Sequence, residues 1–278
     1  MSLRTTLRER ANPLPNGRVT YASEGGVALV TLTNPPANGY SYEMMRDLDE
    51  AVLRARFDES VHAIVIAGEG EKFFCAGADI AMLREAQPTF KYAFCLHANE
   101  TMLRLEHTPK IVIGALGGHC VGGGLEIALS CDLRFARKGS GKCGLPEVAL
   151  GVLPGTGGTQ RLARAVGASK AIELMTSGRT FDYDEAERLG LVNEQIDSPD
   201  EDAFLDEVLG RAAALCPPHK AGLSVGLIKR AVQSGVDLPL ESGLALEREL
   251  QQRLFTSNDA REGIAAFVEK REARFEGA

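Results

Sequence analysis

Apolar positions along the first half of the chain recur with two different periods. Val19-Thr20-Tyr21 and Val27 to Leu32 are strand-like runs parted by Glu24-Gly25-Gly26, a spacing that predicts a β-hairpin closed by a glycine turn. Met44, Leu48, Val52 and Leu53 then fall on one face of a helix from Tyr42 to Phe57, with Ser41 placed to cap it. Ala63-Ile64-Val65-Ile66-Ala67 is apolar without alternation and stops at Gly68, the pattern of a strand covered on both faces. From Thr89 to His107 the helical period returns through Phe94, Ala98, Met102 and Leu105 and ends ahead of Pro109. Ile111 to Leu116 repeats the strand signal. Strand, helix, strand, turn, helix in this rhythm predicts an α/β core whose functional turns lie at strand ends.

Beyond Gly158 helical patterns dominate. Asp182 with Glu185 and Ser198 with Glu201 fit capping boxes, the second with Pro199 at the first helical position. Helices are expected over 199–215, 219–234, 239–255 and 259–274, so a boundary falls near 200: residues 1–200 form the α/β core that carries the site, and 201–278 form a helical region. The apolar faces of that region exceed what its own packing covers, which points to an oligomer.

Composition narrows the function classes. A net charge of −7 argues against a broad nucleic-acid footprint, and no apolar run approaches the roughly 18 residues a membrane span needs. The six cysteines lack CxxC spacing and sit mostly in apolar segments, the habit of buried reduced thiols in a reducing compartment such as the cytoplasm. The histidines are scattered, so no metal site is expected; His119 beside Cys120 is read as structural. Residues 1–18 lack an apolar export segment, while Arg4, Arg8, Arg10 and Arg18 leave an organelle signal as the alternative, against which Glu9 counts.

Two words carry the chemistry. Gly122-Gly123-Gly124-Leu125-Glu126 sets glycines and a carboxylate where Ile127-Ala128-Leu129 begins to read as a helix, and a helix start offers unpaired N–H groups and a positive dipole end to an oxyanion. Leu145-Pro146-Glu147 brings a second glutamate from a loop that continues through Gly155-Thr156-Gly157-Gly158-Thr159-Gln160. Two carboxylates near one oxyanion site fit proton chemistry beside a carbonyl. Taken singly, each word also fits a dipole-complementing glutamate or close glycine packing. Their order matters, because Phe73-Phe74-Cys75-Ala76-Gly77-Ala78-Asp79-Ile80 is a strand end running into a small-residue turn, able to aim a second N–H at the same oxygen.

On these words the chain resembles the enoyl-CoA hydratase, or crotonase, family. The likeness spans about residues 19 to 274: the turn Ala76 to Ile80, Gly122 to Glu126, Pro146 to Leu162, and Phe267 to Arg271. The resemblance implies a spiral of repeated ββα units with a C-terminal helical region that builds a trimer, commonly doubled to a hexamer. It implies an oxyanion hole at the N–H groups of Ala78 and Gly123, catalytic carboxylates Glu126 and Glu147, and a CoA thioester with its adenosine end near Ala37 and the turn of Ala76, Asp79 and Ile80. Phe267 and Lys270, three apart and expected on one helix face, would contact CoA, on the same or a neighbouring subunit.

The implied reaction adds water reversibly across the 2,3 double bond of a 2-enoyl-CoA, as in β-oxidation, with no cofactor beyond the CoA the substrate carries. Alternatives on the same scaffold are double-bond isomerisation and thioester hydrolysis; a nucleotide- or RNA-binding role is disfavoured, since the glycine loops match neither GxGxxG nor GxxxxGK[ST]. The chain departs from the family in carrying Pro36 and Ala81 where many relatives have a lysine for the CoA phosphates, with Lys72 as the substitute, and in Gly39-Tyr40, which replaces a small-then-aliphatic pair. Cys95 and His97 lie on the helix expected to bound the acyl pocket.

Overall fold

The computed structural model describes residues 1–277. In chain order the elements are α1 (Leu3–Glu9), β1 (Asn12–Pro13), β2 (Val19–Glu24), β3 (Val27–Leu32), α2 (Tyr42–Phe57), β4 (Ala63–Gly68), β5 (Phe73–Cys75), α3 (Ile80–Glu85), α4 (Pro88–His107), β6 (Ile111–Leu116), β7 (His119–Val121) and α5 (Gly123–Leu129). The second half holds β8 (Leu133–Arg137), β9 (Lys142–Gly144), a 3₁₀ turn (Glu147–Leu150), α6 (Gly158–Val166), α7 (Ala168–Ser177), β10 (Phe181–Asp182), α8 (Tyr183–Arg188), β11 (Glu194–Ile196), α9 (Glu201–Ala213), α10 (Gly222–Gly235), α11 (Leu240–Phe255) and α12 (Asn258–Glu269).

The strands form a seven-stranded sheet, β1-β2-β3-β4-β6-β8-β11, and a four-stranded one, β10-β9-β7-β5. The expected hairpin is present: Glu24 pairs with Val27 across Gly25 and Gly26, both at positive φ, the two-residue turn that suits the twist of the flanking strands. From β3 to β11 the large sheet is parallel. As expected, β4 is covered on both faces. Ile64 and Ile66 pack with Leu48 and Val52 of α2 and Met102 and Leu105 of α4, whereas Ala63, Val65 and Ala67 pack with Leu7 of α1 and Phe204, Leu205, Val208 and Leu209 of α9.

From β4 onward each pass lays one strand in each sheet: β4 then β5, β6 then β7, β8 then β9. In the small sheet β5, β7 and β9 are parallel, and Cys75, Cys120 and Cys143 stand in register. Their carboxyl ends therefore lie side by side. The turns that leave these strands, Ala76-Gly77-Ala78, Gly122-Gly123 and Leu145-Pro146-Glu147, meet at one edge, the usual place for a ligand in a parallel sheet.

The C-terminal half departs from expectation at three points. Asp182 caps α8 as expected, accepting from the Glu185 N–H at 2.9 Å. The cap of α9, however, is Asp200 and not Ser198: its Oδ1 accepts from the Ala203 N–H at 2.8 Å, and an aspartate set nearer the helix is at least as good a cap as serine. Secondly, α9 packs on the large sheet, and α10 is tied to the same core. That helix is pinned by the buried Lys229, whose Nζ lies 2.8 Å from Asp132 and donates to the carbonyls of Leu105 and Lys110. Thirdly, α12 ends at Glu269 and Lys270 adopts a left-handed cap conformation, with the Arg271 N–H donating to Ala266 O at 3.0 Å. Phe267 and Lys270 thus do not share a helix face, because a Schellman-type cap turns the chain between them. Ile228, Val232, Leu240, Phe255 and Phe267 leave an apolar face exposed along α10–α12.

Candidate active site

Gly77 has φ 88°, and a Cβ there would lie 3.1 Å from Val121 O and 3.4 Å from Gly123 N. The first turn therefore rides directly on the start of α5, which only glycine in the left-handed region permits. The Tyr40 N–H donates to Gly77 O at 2.8 Å and the Asp79 N–H donates to Tyr40 O at 3.0 Å. Pairing with Tyr40 thus uses the residues on either side of Ala78, and the Ala78 N–H is turned the other way. Gly123 is the first residue of α5, where the N–H has no intrahelical acceptor. Among the described residues neither N–H has a protein acceptor, and both residues line a cavity of about 600 Å³. Two free donors and a helix start facing one cavity are equipped to hold an oxyanion.

The glycines after Gly122 have packing duties as well. A Cβ on Gly123 would fall 2.1 Å from Cε1 of Tyr40, and one on Gly124 would fall 2.2 Å from Cys75 O. A side chain at position 123 would therefore meet the Tyr40 ring.

Glu126 lies in the first turn of α5 and is 2% exposed. Its Oε1 accepts from the Thr156 N–H at 2.8 Å and the Gly158 N–H at 2.7 Å, and its Oε2 accepts from the Thr156 hydroxyl. The glycine-rich loop before α6 thus folds around this carboxylate, and the first residue of α6 supplies one of its donors. Glu147 opens the 3₁₀ turn, half-buried, with Oε2 buried and unpartnered. Burial pushes its carboxyl up to about 7, with the Glu126 charge adding to the rise against the opposing pull of its own backbone N–H. The two carboxylates line one cavity in unlike environments, the arrangement that separates an acid from a base.

Tyr40, Ala76, Ile80, Arg84, Lys91, Leu150 and Val152 also line this cavity. Of the residues expected at the CoA end, Ala76 and Ile80 line the cavity. Ala37 instead accepts the Ala76 N–H at 3.0 Å, and the Asp79 carboxylate is spent capping α3, accepting from the Ala81 and Met82 N–H groups. Phe267 and Lys270 do not line the cavity of this chain. Lys72 lies over the Phe73 ring and does not line the cavity, whereas Arg84 and Lys91, which sequence reasoning missed, are the basic groups that do. From α4 it is Lys91 that lines the cavity and Phe94 that packs on Tyr40, while Cys95 and His97 do not line it. His119 is structural as expected, Nδ1 accepting from the Lys142 N–H at 3.1 Å.

The family model described as enoyl-CoA hydratase/isomerase matches residues 22–278. The chain belongs to the enoyl-CoA hydratase/isomerase family. It is 36% identical over 254 residues to the short-chain-enoyl-CoA hydratase of Clostridium acetobutylicum, covering 91% of this chain and 95% of that one. To the crotonyl-CoA hydratase of Syntrophomonas wolfei it is 34% identical over 258 residues, covering 92% and 97%. A crystal structure of an enoyl-CoA hydratase from Geobacillus kaustophilus superposes with a TM-score of 0.90 at 42% identity, covering 94% of this chain and 97% of that one. The two-sheet spiral is thus the crotonase fold. Among the described residues no group of three or more His, Cys, Asp or Glu side chains is placed to hold a metal ion, and no helix is long and apolar enough to cross a membrane.

Proposed function

We propose that this member of the family is a hydro-lyase that adds water reversibly across the 2,3 double bond of a 2-enoyl-CoA. The thioester oxygen accepts from the Ala78 and Gly123 N–H groups, which draws electron density from C3. Water oxygen bonds to C3 as Glu126 takes one of its protons; the π pair moves through C2 toward the held oxygen, and Glu147 gives its proton to C2. The proton gained by Glu126 and the one lost by Glu147 are evened out through solvent before the next turnover, so the net addition is the H and OH of one water and is redox-neutral. Each proton transfer is worth about 10²- to 10⁴-fold.

The observation that carries this reading is the half-buried Glu147 carboxyl, its Oε2 unpartnered and its proton held up to about 7, in the same cavity as a Glu126 that three donors hold with one acceptor position open. Hydration needs both groups, whereas shifting a double bond needs one. Arg84 and Lys91 are assigned to the CoA phosphates, and the exposed apolar face of α10–α12 to a homotrimer, or a hexamer of two trimers, in which Phe267 and Lys270 reach a neighbour's CoA. The six thiols, all free, suit the cytoplasm.

The test is a panel of 2-enoyl-CoAs of increasing chain length, followed by loss of the conjugated-thioester absorbance. Gain of that absorbance from 3-enoyl-CoA without hydration would make the protein an isomerase, and release of free CoA thiol would make it a hydrolase.

A further inference from the structure

Tyr40 moves no proton in this reaction, yet its ring is enclosed. It is 2% exposed, lies against the Cα of Gly123, and has the Phe94 ring 5.4 Å away. Its hydroxyl is 3.0 Å from Oγ1 of Thr156, itself 1% exposed. Thr156 donates to Oε2 of Glu126. A threonine hydroxyl has one proton, and that proton is committed to Glu126, so the Tyr40 O–H must donate to Thr156. The chain of donors runs one way, from Tyr40 through Thr156 to the carboxylate.

A carboxylate has about four acceptor positions. Glu126 spends two on Oε1 and one on Oε2, which leaves one lone pair on Oε2 for a molecule in the cavity. Which lone pair remains open depends on the direction from which the Thr156 hydroxyl arrives, and that hydroxyl is held by Tyr40. We propose that Tyr40 and Thr156 are positioning residues: the phenol orients the threonine hydroxyl, which fixes Oε2 of Glu126 so that a single open lone pair faces the attacking water. Burial, and then the charge of Glu126, raise the phenol well above its ordinary range, so Tyr40 stays a donor at any working pH. This inference deepens the hydratase reading and rests on Glu126 as the group that takes the water proton.

The experiment uses the full chain and four variants: Tyr40→Phe, Thr156→Val, Thr156→Ser and the double Tyr40→Phe/Thr156→Val, each checked for folding by thermal melting. With crotonyl-CoA, Tyr40→Phe is expected to lower kcat by about 3- to 10-fold, the size of one neutral hydrogen bond, with KM unchanged. Thr156→Val is expected to lower it by about 10²-fold, and Thr156→Ser to restore it. Because Tyr40 reaches Glu126 only through Thr156, the double variant should be no slower than Thr156→Val. Multiplicative losses in the double variant, or a serine variant as slow as the valine one, would overturn the proposal. Infrared spectra of ¹³C-glutamate-labelled protein give a readout free of turnover. The carboxylate band lost in Glu126→Gln should shift in Thr156→Val and less in Tyr40→Phe; a band unmoved in both refutes the relay. A wild-type protein that leaves every enoyl-CoA unchanged would refute the hydratase reading, while the infrared shift would still decide this one.

Discussion

Replacing Gly123 by alanine puts a methyl group 2.1 Å from Cε1 and 2.5 Å from Cδ1 of Tyr40, where ordinary carbon contact needs roughly 3.5 Å or more. The ring would have to retreat by over ~1 Å. It has little freedom to do so, because its hydroxyl is bonded to Thr156, the Phe94 ring packs on it, and its backbone is tied on both sides to Gly77 and Asp79. Overpacking of this kind costs about 1–3 kcal/mol, and a displaced phenol forfeits a hydrogen bond of about 1 kcal/mol. Tyr40→Ala also destabilises, by leaving a cavity worth about 3–5 kcal/mol, but it removes the obstacle. Denaturant melts of the two single variants and the double form the assay. Gly123→Ala should cost about 2–4 kcal/mol in the wild-type background and under about 0.5 kcal/mol beside Tyr40→Ala. An equal cost in both backgrounds would refute the contact and return the methyl group to the substrate's space.

The remaining predictions concern the carboxylates and the next glycine. Glu126→Gln and Glu147→Gln should each lower kcat at least about 10²-fold with little change in melting temperature, checked by steady-state kinetics. If Glu147 gives a proton to C2, kcat/KM for hydration should fall as pH rises through about 7, and a pH profile lacking that limb would remove Glu147 from the role. The buried Glu201 carboxyl is likewise pushed up to about 7, by desolvation against the pull of Arg137. The folded state then holds a proton that the unfolded chain releases from 4.5 upward, so this group's contribution is intact below pH 4.5 and lost as pH climbs through 7. Glu201→Gln should accordingly raise the melting temperature at about pH 8, with the gap closing toward pH 4.5. Gly124→Ala should lower the melting temperature, because the new methyl would meet the carbonyl of Cys75 at 2.2 Å and backbone cannot yield as a side chain can; a melting temperature within a degree or two of wild type would refute this.

The division between what is legible in the sequence and what is not runs along a physical line. Periodicity reports which face of an element is buried, so Ile64 and Ile66 on one side of β4 and Val65 on the other read as a doubly covered strand, and glycine words report where backbone must pass close to backbone. Cap chemistry is local too, yet the competition between Ser198 and Asp200 is decided by a small difference of register. Registers between distant strands have no such local trace. That Cys75, Cys120 and Cys143 stand in line is a property of the small sheet, and it is this alignment that delivers Ala78, Gly123 and Glu147 to one cavity. The resemblance supplies the outcome; the parallel pairing of β5, β7 and β9 supplies the cause. Side-chain partners are harder still. Tyr40 and Thr156 are separated by 116 residues, and nothing in either local pattern distinguishes a hydroxyl that fills space from one that orients a base. Asp79 is a further case: the resemblance sets it at the CoA end, and only the geometry shows its carboxylate spent on two N–H groups of α3. A candidate site is therefore most legible in sequence where it is built from backbone, as at Ala78 and Gly123, and least legible where it depends on which side chain a distant loop sets opposite another.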